Sequence, residues 1–302
     1  MEKPHILHLF TPTGQASPFD VNMAYDAGYN AVVPYTQVTL DQVTTLTQDA
    51  IFSRGPKGAR RTGLFIGGRE NGLAVDMLEA ARKAMVPPFE VSVFVDPSGA
   101  FTTAAAMVAA VEKHLKKNHG TDLDGKSVLI FGGSGPVGAA AAVLASQAGA
   151  RVGIVGREDT TRARSTAEDC NRRYGTNVEP VDASTASLKL SMMQKADIAL
   201  STAKAGYRVV DNKLLAAASR LLVAADVNAV PPSGIEGVEA MDDGKALQAG
   251  SGKAVGIGAL AIGNIKYQTQ RGLLEAMLKA DKALYLDLRS AFAEARRHAG
   301  VV

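Results

Sequence analysis

The sequence predicts an α/β fold: two α/β domains with a cleft between them. Three observations carry this. The chain has 302 residues, more than one hydrophobic core comfortably serves, so two cores are expected. Its composition is 46% apolar but only 5% aromatic, with no Trp, which describes interiors of Ala, Val, Leu and Ile, the residues of parallel sheets covered by helices. Strand-like runs alternate with helix-length segments from end to end, the pattern of right-handed βαβ units.

In the first half the predicted strands are Ile6 to Phe10, Ala31 to Tyr35, Gly63 to Ile66 and Val91 to Val95. Helices are expected to begin near Ser17, Leu40, Asn71 and Thr102. Ser17-Pro18 supplies an N-cap followed by proline at the first helical position, with Asp20 where the helix dipole favours a carboxylate. A charged, polar stretch, Lys113 to Lys126, then separates this half from a more regular one. The expected domains are 1–118 and 119–274, the first completed by a C-terminal helical segment, 275–302, within which Ala280 to His298 reads as an amphipathic helix. In the second half the predicted strands are Ser127 to Phe131, Arg151 to Val155, Ala196 to Ser201, Leu221 to Ala225 and a short one near Val255.

The formal charge of +3, from 33 basic and 30 acidic side chains, is too balanced for a nucleic-acid or membrane-surface protein, so the expected partner is a small molecule. No run approaches ~20 apolar residues, and the chain starts on a strand-like segment with no basic leader, which predicts a cytoplasmic protein. Cys170 is the only cysteine, which excludes an intramolecular disulfide and a multi-cysteine zinc site. No histidine spacing promises a base beside it, so Cys170 reads as inert and no metal is expected.

The strongest motif follows the strand Ser127 to Phe131. The chain runs straight into Gly132-Gly133-Ser134-Gly135-Pro136-Val137-Gly138 and then an alanine-rich helix. Strand, glycine turn and helix in that order make the second domain Rossmann-like, with Gly133 expected to make the tight turn, Gly135 to let backbone approach a pyrophosphate and Gly138 to let the helix pack closely. The implied cofactor is a nicotinamide dinucleotide, NADP before NAD, because the next strand ends in Gly156-Arg157 where an NAD site usually carries an acid. Arg157 is the candidate to stack on adenine or, helped by Arg162 or Arg164, to take a 2′-phosphate, the plain alternative being a solvated arginine; Glu158 keeps NAD in play. Two further strand ends, Ser201-Thr202-Ala203 and Asp226-Val227-Asn228, are expected to edge the nicotinamide. Asp226 and Asn228 would orient ribose or carboxamide, or serve as ordinary turn formers.

Several stretches together resemble the bacterial methylene-tetrahydromethanopterin dehydrogenases over nearly the whole chain. The carriers are Ser17 to Met23, Leu46 to Asp49 with Ile51 to Arg54, Pro87-Pro88-Phe89, Asp96 to Gly99 with Thr102-Thr103, the glycine turn, Asp226 to Pro232, and Gly256 to Leu260 running into Asn264 to Gln270. The resemblance implies hydride transfer from methylene-tetrahydromethanopterin to NADP or NAD in one-carbon, formaldehyde-oxidising metabolism, by a homotrimer. Methylene-tetrahydrofolate dehydrogenase/cyclohydrolases are more distantly similar; their paired tyrosine and lysine meet Tyr35 and Thr39 here, so the resemblance implies no cyclohydrolase step.

Lys266 matches the family's catalytic lysine. Its neighbours Gly256, Gly258, Gly263, Ile262 and Ile265 describe a closely approached, buried segment, where an ammonium needs a partner. In the first domain Asp20, Asp96, Ser98, Thr102 and Thr103 are candidates to bind the pterin's amide and amino edge, or else are helix caps and first-turn residues. The rival functions are a methylene-tetrahydrofolate dehydrogenase, a shikimate-type NADP dehydrogenase, which needs a proton donor beside its ketone, and a non-catalytic NADP sensor.

Overall fold

A computed structural model describes residues 3–156 and 159–302. In chain order the strands are β1 (Ile6–Phe10), β2 (Ala31–Tyr35), β3 (Thr62–Ile66), β4 (Ser92–Val95), β5 (Ser127–Phe131), β6 (Arg151–Gly156), β7 (Val178–Asp182), β8 (Ile198–Ser201), β9 (Val223–Asp226), β10 (Asp243–Ala246), β11 (Val255–Ile257) and β12 (Tyr285–Leu286). The helices are α1 (Pro18–Ala27), α2 (Gln42–Phe52), α3 (Gly55–Ala59), α4 (Asn71–Lys83), α5 (Ala100–His119), α6 (Pro136–Gln147), α7 (Thr161–Tyr174), α8 (Ala186–Lys195), α9 (Asn212–Ala217), α10 (Ala259–Lys279) and α11 (Leu288–Ala299). They form two units, one of residues up to Thr102 with Tyr267–Glu294, the other of Thr103–Lys266 with Ala295–Val302. Among the described residues no helix is long and apolar enough to cross a membrane.

The first unit holds a parallel sheet in the order β12-β4-β3-β1-β2. β3 and β4 are buried along their whole length, which is why both read as continuous apolar runs rather than alternating ones. β2 lies at the edge, partly exposed and carrying Pro34, a residue that an edge tolerates because it needs no ladder donor there. α1 starts as expected: the Ser17 side chain accepts from the Asp20 amide, Pro18 follows, and Gly28 closes the helix at φ 110°.

The second unit is doubly wound, in the order β10-β11-β9-β8-β5-β6-β7, parallel except for β10. The chain moves outward from β5 through β6 to β7, then returns to β8 beside β5 and continues outward to β9 and β11. Right-handed crossovers therefore place α6 and α7 on one face and α8 and α9 on the other. On the α8 and α9 face Leu129, Phe131, Met193, Leu215 and Ile235 form an apolar core.

Three strands fall outside the predicted set. β7 carries Glu179 and Pro180 and β10 reads Asp-Gly-Lys-Ala, so neither shows strand periodicity; both are edge strands. β12 is two residues long. It also corrects the expected C-terminal helix: Ala280 to His298 is not continuous, because Tyr285–Leu286 pairs with the free edge of β4 and Asp287 then caps α11, accepting from the Ser290 amide at 3.1 Å. The polar stretch Lys113 to Lys126 is likewise helical up to His119. Lys113 Nζ and His114 Nε2 each lie 2.7 Å from the Asp243 carboxylate of β10, and that contact explains charged residues on an otherwise buried helix.

Candidate functional site

The glycine turn has the geometry its spacing demands, with the parts assigned differently. The left-handed residue is Gly132, at φ 77°, where a Cβ would lie 2.6 Å from the Ala203 amide nitrogen. Gly133, expected to make the tight turn, instead makes room for Ile154, whose side chain would be 2.8 Å from an added Cβ. A Cβ on Gly138 would be 2.5 Å from Gly133 Cα and 2.6 Å from Thr202 Oγ1, so the third glycine does let the helix sit tightly against the turn. Around Gly135 only the Gly132 carbonyl is near, at 3.3 Å from such an atom. Gly135 is the N-cap of α6 and offers no side-chain cap, and Pro136 is the first helical residue. The first amides of α6 thus receive no side-chain cap from the N-cap residue, in a setting where the helix dipole favours an anion. Ser134 and Val137 are half-buried beside this opening. The arrangement fits a dinucleotide pyrophosphate.

Thr202 and Ala203 close the turn from the end of β8. The Thr202 amide and hydroxyl both donate to the Phe131 carbonyl, at 2.8 and 3.0 Å. Asp226 and Asn228 hold a loop together. Asp226 is 1% exposed; its carboxylate accepts from the Asn228 amide at 3.0 Å, Gly234 at 2.6 Å and Ile235 at 3.1 Å. Asn228 donates its side-chain amide to the Pro232 carbonyl and accepts from the Val230 amide. Of the two readings open in the sequence, turn formation accounts for these contacts. Arg157 and Glu158 lie outside the described residues, whereas Arg162 is exposed in the first turn of α7.

Lys266 is half-buried in α10, between buried Ile265 and Thr269. The close approach expected around it is real at Gly258, where a Cβ would overlap the Glu239 carbonyl, and absent at Gly263, which has nothing nearby.

In the first unit the parallel strands bring the loops after β1, β2, β3 and β4 to one edge of the sheet, where open α/β sheets bind ligands. Asp20 is 4% exposed, and its Oδ1 accepts from Gln270 Nε2 at 2.9 Å. A fully buried Gln270 was not singled out in the sequence, although it ends the motif Asn264 to Gln270. Asp96 and Thr102 meet: Thr102 Oγ1 donates to Asp96 Oδ2 at 2.6 Å, and the Phe101 and Thr102 amides donate to Oδ1. This pair caps the start of α5. Ser98 is exposed and sits at φ 53°, its hydroxyl donating to the Gly68 carbonyl at 2.6 Å. Thr103 is half-buried.

A second non-glycine residue with positive φ, Gln37 at 57°, lies just after β2. Such conformations cost free energy and gather at binding sites. Around it Tyr35, Thr36, Val38, Gln42 and Leu46 line a cavity of about 520 Å³. Tyr35 shares a hydrogen bond of 3.2 Å with His8 Nδ1, and burial, then the Arg54 guanidinium, hold the His8 imidazole below its ordinary pKa. No sequence motif marks this cavity, since its walls come from one strand end and one helix face. Elsewhere burial pushes the Cys170 thiol up to about 11, which suppresses the thiolate a nucleophile needs. Among the described residues no cluster of three His, Cys, Asp or Glu is placed to hold a metal.

The same two-unit layout recurs in solved structures. Quinate dehydrogenase from Corynebacterium glutamicum, in complex with NAD, is 16% identical with a TM-score of 0.54, covering 97% of this chain and 98% of its own. Shikimate 5-dehydrogenase from Listeria monocytogenes is 14% identical with a TM-score of 0.53, covering 93% and 94%. At these identities the likeness is one of fold. Fold and glycine turn together define a two-unit α/β protein whose second unit is of the Rossmann-like, dinucleotide-binding type. Two relatives from Methylorubrum extorquens narrow it: an NAD(P)-dependent methylenetetrahydromethanopterin dehydrogenase, 48% identical over 297 residues (98% of this chain, 99% of the relative), and the bifunctional protein MdtA, 31% identical over 280 (93% and 94%). The family model for the N-terminal part of methylene-tetrahydromethanopterin dehydrogenases matches residues 18–98. The chain belongs to the methylene-tetrahydromethanopterin dehydrogenase family.

Proposed function

We propose that the chain takes a hydride from the methylene bridge of methylene-tetrahydromethanopterin and passes it to NADP, with NAD as the second cofactor. The carrying observation is the start of α6, without a side-chain cap, directly after the glycine turn that ends at Gly138, in a chain nearly half identical to a dehydrogenase of that name. In this reading residues 119–266 bind the cofactor. The α6 amides, with Ser134, Gly135, Pro136 and Val137 around them, hold the pyrophosphate, Thr202 and Ala203 border it, and Arg157 and Arg162 attract the 2′-phosphate. Residues 1–118, completed by Tyr267–Glu294, bind the pterin. Asp20, oriented by Gln270, accepts from its amide and amino edge, Ser98 and Thr103 add polar contacts, and Asp96 and Thr102 keep that edge of the site in shape.

When bound, the nicotinamide supplies the hydride-accepting carbon. The substrate's two flanking nitrogens stabilise the methenyl cation that remains, so no proton leaves the reacting carbon and no acid–base pair is required of the protein. Its work is alignment and exclusion of water. Lys266 is the residue proposed to meet the substrate, through its ammonium.

The test is a matrix of methylene-tetrahydromethanopterin and methylene-tetrahydrofolate against NADP and NAD, reading reduced cofactor. Turnover with the methanopterin carrier is expected, and Lys266→Ala should lower kcat about tenfold or more while leaving the Kd for NADP unchanged. No turnover with either carrier would remove the proposal, and full activity of the variant would remove Lys266 from it. A cytoplasmic homotrimer completes the reading, on the family resemblance alone; a mass measured by light scattering that is not three chains would refute the trimer.

A further inference from the structure

The second unit has another cavity, of about 490 Å³, between the first turns of α8 and α9. Its floor is apolar: Leu214 belongs to the core of that face, and Leu190 and Val209 pack against it. Its rim is cationic, formed by Lys189 of α8 and by Arg208 and Lys213 before and within α9. The carboxylates at hand are engaged. Asp211, also on the rim, accepts from the Leu214 amide at 2.9 Å. Glu236 pairs with Arg208 at 3.0 Å and accepts from the Asn212 amide at 2.8 Å. Lys189 and Lys213 have no carboxylate partner among the described residues.

The glycine turn opens α6, whereas α8 and α9 lie on the opposite face of the sheet. The cavity still sits toward its carboxyl edge, because its walls are the starts of the helices that follow β7 and β8. β7 ends at Asp182, in register with Gly156, and the loop from β8 begins with the residues that touch Gly132. The cavity therefore shares the carboxyl edge of the sheet with the cofactor turn without being part of it. A phosphomonoester carries about −1.5 to −2 charges at neutral pH, which matches two unpaired ammonium groups. The volume lies within the range of about 300–1,000 Å³ that holds whole small molecules, too roomy for a bare phosphate, and the apolar floor suits a base or sugar.

We propose that this cavity binds the phosphomonoester end of a nucleotide, Lys189 and Lys213 contacting the phosphate and Leu190, Val209 and Leu214 the attached body. The group has two sources: the 2′-phosphate of NADP, which rests on the cofactor reading above but with Lys189 and Lys213 in place of Arg157 and Arg162 as its partners, or a free mononucleotide, which does not rest on that reading. The experiment compares wild type with Lys189→Ala/Lys213→Ala by calorimetric titration of NADP, of NAD, and of AMP into NAD-saturated protein. NADP weakened about tenfold or more with NAD unchanged identifies the cofactor's phosphate. AMP bound by wild type and lost in the variant, with NADP unchanged, identifies a free nucleotide. In either case Lys189→Arg/Lys213→Arg should restore binding. The proposal is overturned by equal loss of NADP and NAD, or by unchanged NADP binding together with AMP binding that is absent or the same in both proteins. Wild type that binds neither dinucleotide would refute the cofactor reading, while the AMP titration still tests the cavity.

Discussion

Gly132→Ala is expected to lose NADP binding and to destabilise the protein by about 2 kcal/mol or more. The conformation alone accounts for roughly 1–2 kcal/mol, because a Cβ at φ 77° crowds its own backbone. Sterics add to this. The added carbon would lie 2.6 Å from the Ala203 nitrogen, 2.7 Å from Ala203 Cα and 2.7 Å from the Thr202 carbonyl carbon. All of these are backbone atoms, so no rotamer change relieves them. The end of β8 has to move, and with it the Thr202 amide that donates to the Phe131 carbonyl. Gly135→Ala makes the contrast. Its Cβ meets only the Gly132 carbonyl, at 3.3 Å, so that variant should fold nearly as well as wild type and lose affinity alone. Urea unfolding and NADP titration of both variants separate the effects; a Gly132→Ala protein with wild-type midpoint and affinity would show that the turn is not the cofactor's seat.

The strand–turn–helix of the second unit was legible because its signals are local: a buried apolar strand, glycines at fixed offsets and a helix, all within a short stretch of chain. The same is true of the start of α1, whose cap and proline are adjacent in sequence. What the sequence hid depends on distant partners. β12 is strand only because β4 offers a free edge, and the partner that lets the charged Lys113 and His114 sit on α5, Asp243, lies about 130 residues away in sequence. Residue-level roles inside the turn were hidden for a related reason. Spacing identifies a glycine triplet, but only the position of the Thr202–Ala203 backbone decides that Gly132 carries the left-handed conformation. At Asp20 the signal was present and pointed to a first-turn carboxylate; the Gln270 contact, 250 residues away, is not visible from either end. The cavity beside Tyr35 follows the same rule, with its strained residue, Gln37, betrayed by no composition or period.

Asp226→Ala should be among the most damaging substitutions in the second unit, and its cost decides between the two roles its position allows. Its carboxylate accepts from the amides of Asn228, Gly234 and Ile235 at a site 1% exposed. Truncation leaves those amides without their acceptor in a place water hardly reaches, at roughly 1–3 kcal/mol for each. The expected loss is about 4 kcal/mol or more, a large part of a typical stability of about 5–15 kcal/mol. Ser201 provides the control. Its hydroxyl is fully buried without a partner and flanks the same glycine: a Cβ on Gly234 would lie 2.1 Å from Ser201 Oγ and 2.9 Å from Asp226 Oδ1. Ser201→Ala removes a hydroxyl that contributes no hydrogen bond, so its effect should stay within about 1 kcal/mol. Urea unfolding of the two variants gives the comparison. If Asp226 serves chiefly to hold the loop that ends at Ile235, the alanine variant unfolds at much lower denaturant. If it serves chiefly to orient a bound ribose or carboxamide, stability stays near wild type while affinity for the dinucleotide falls.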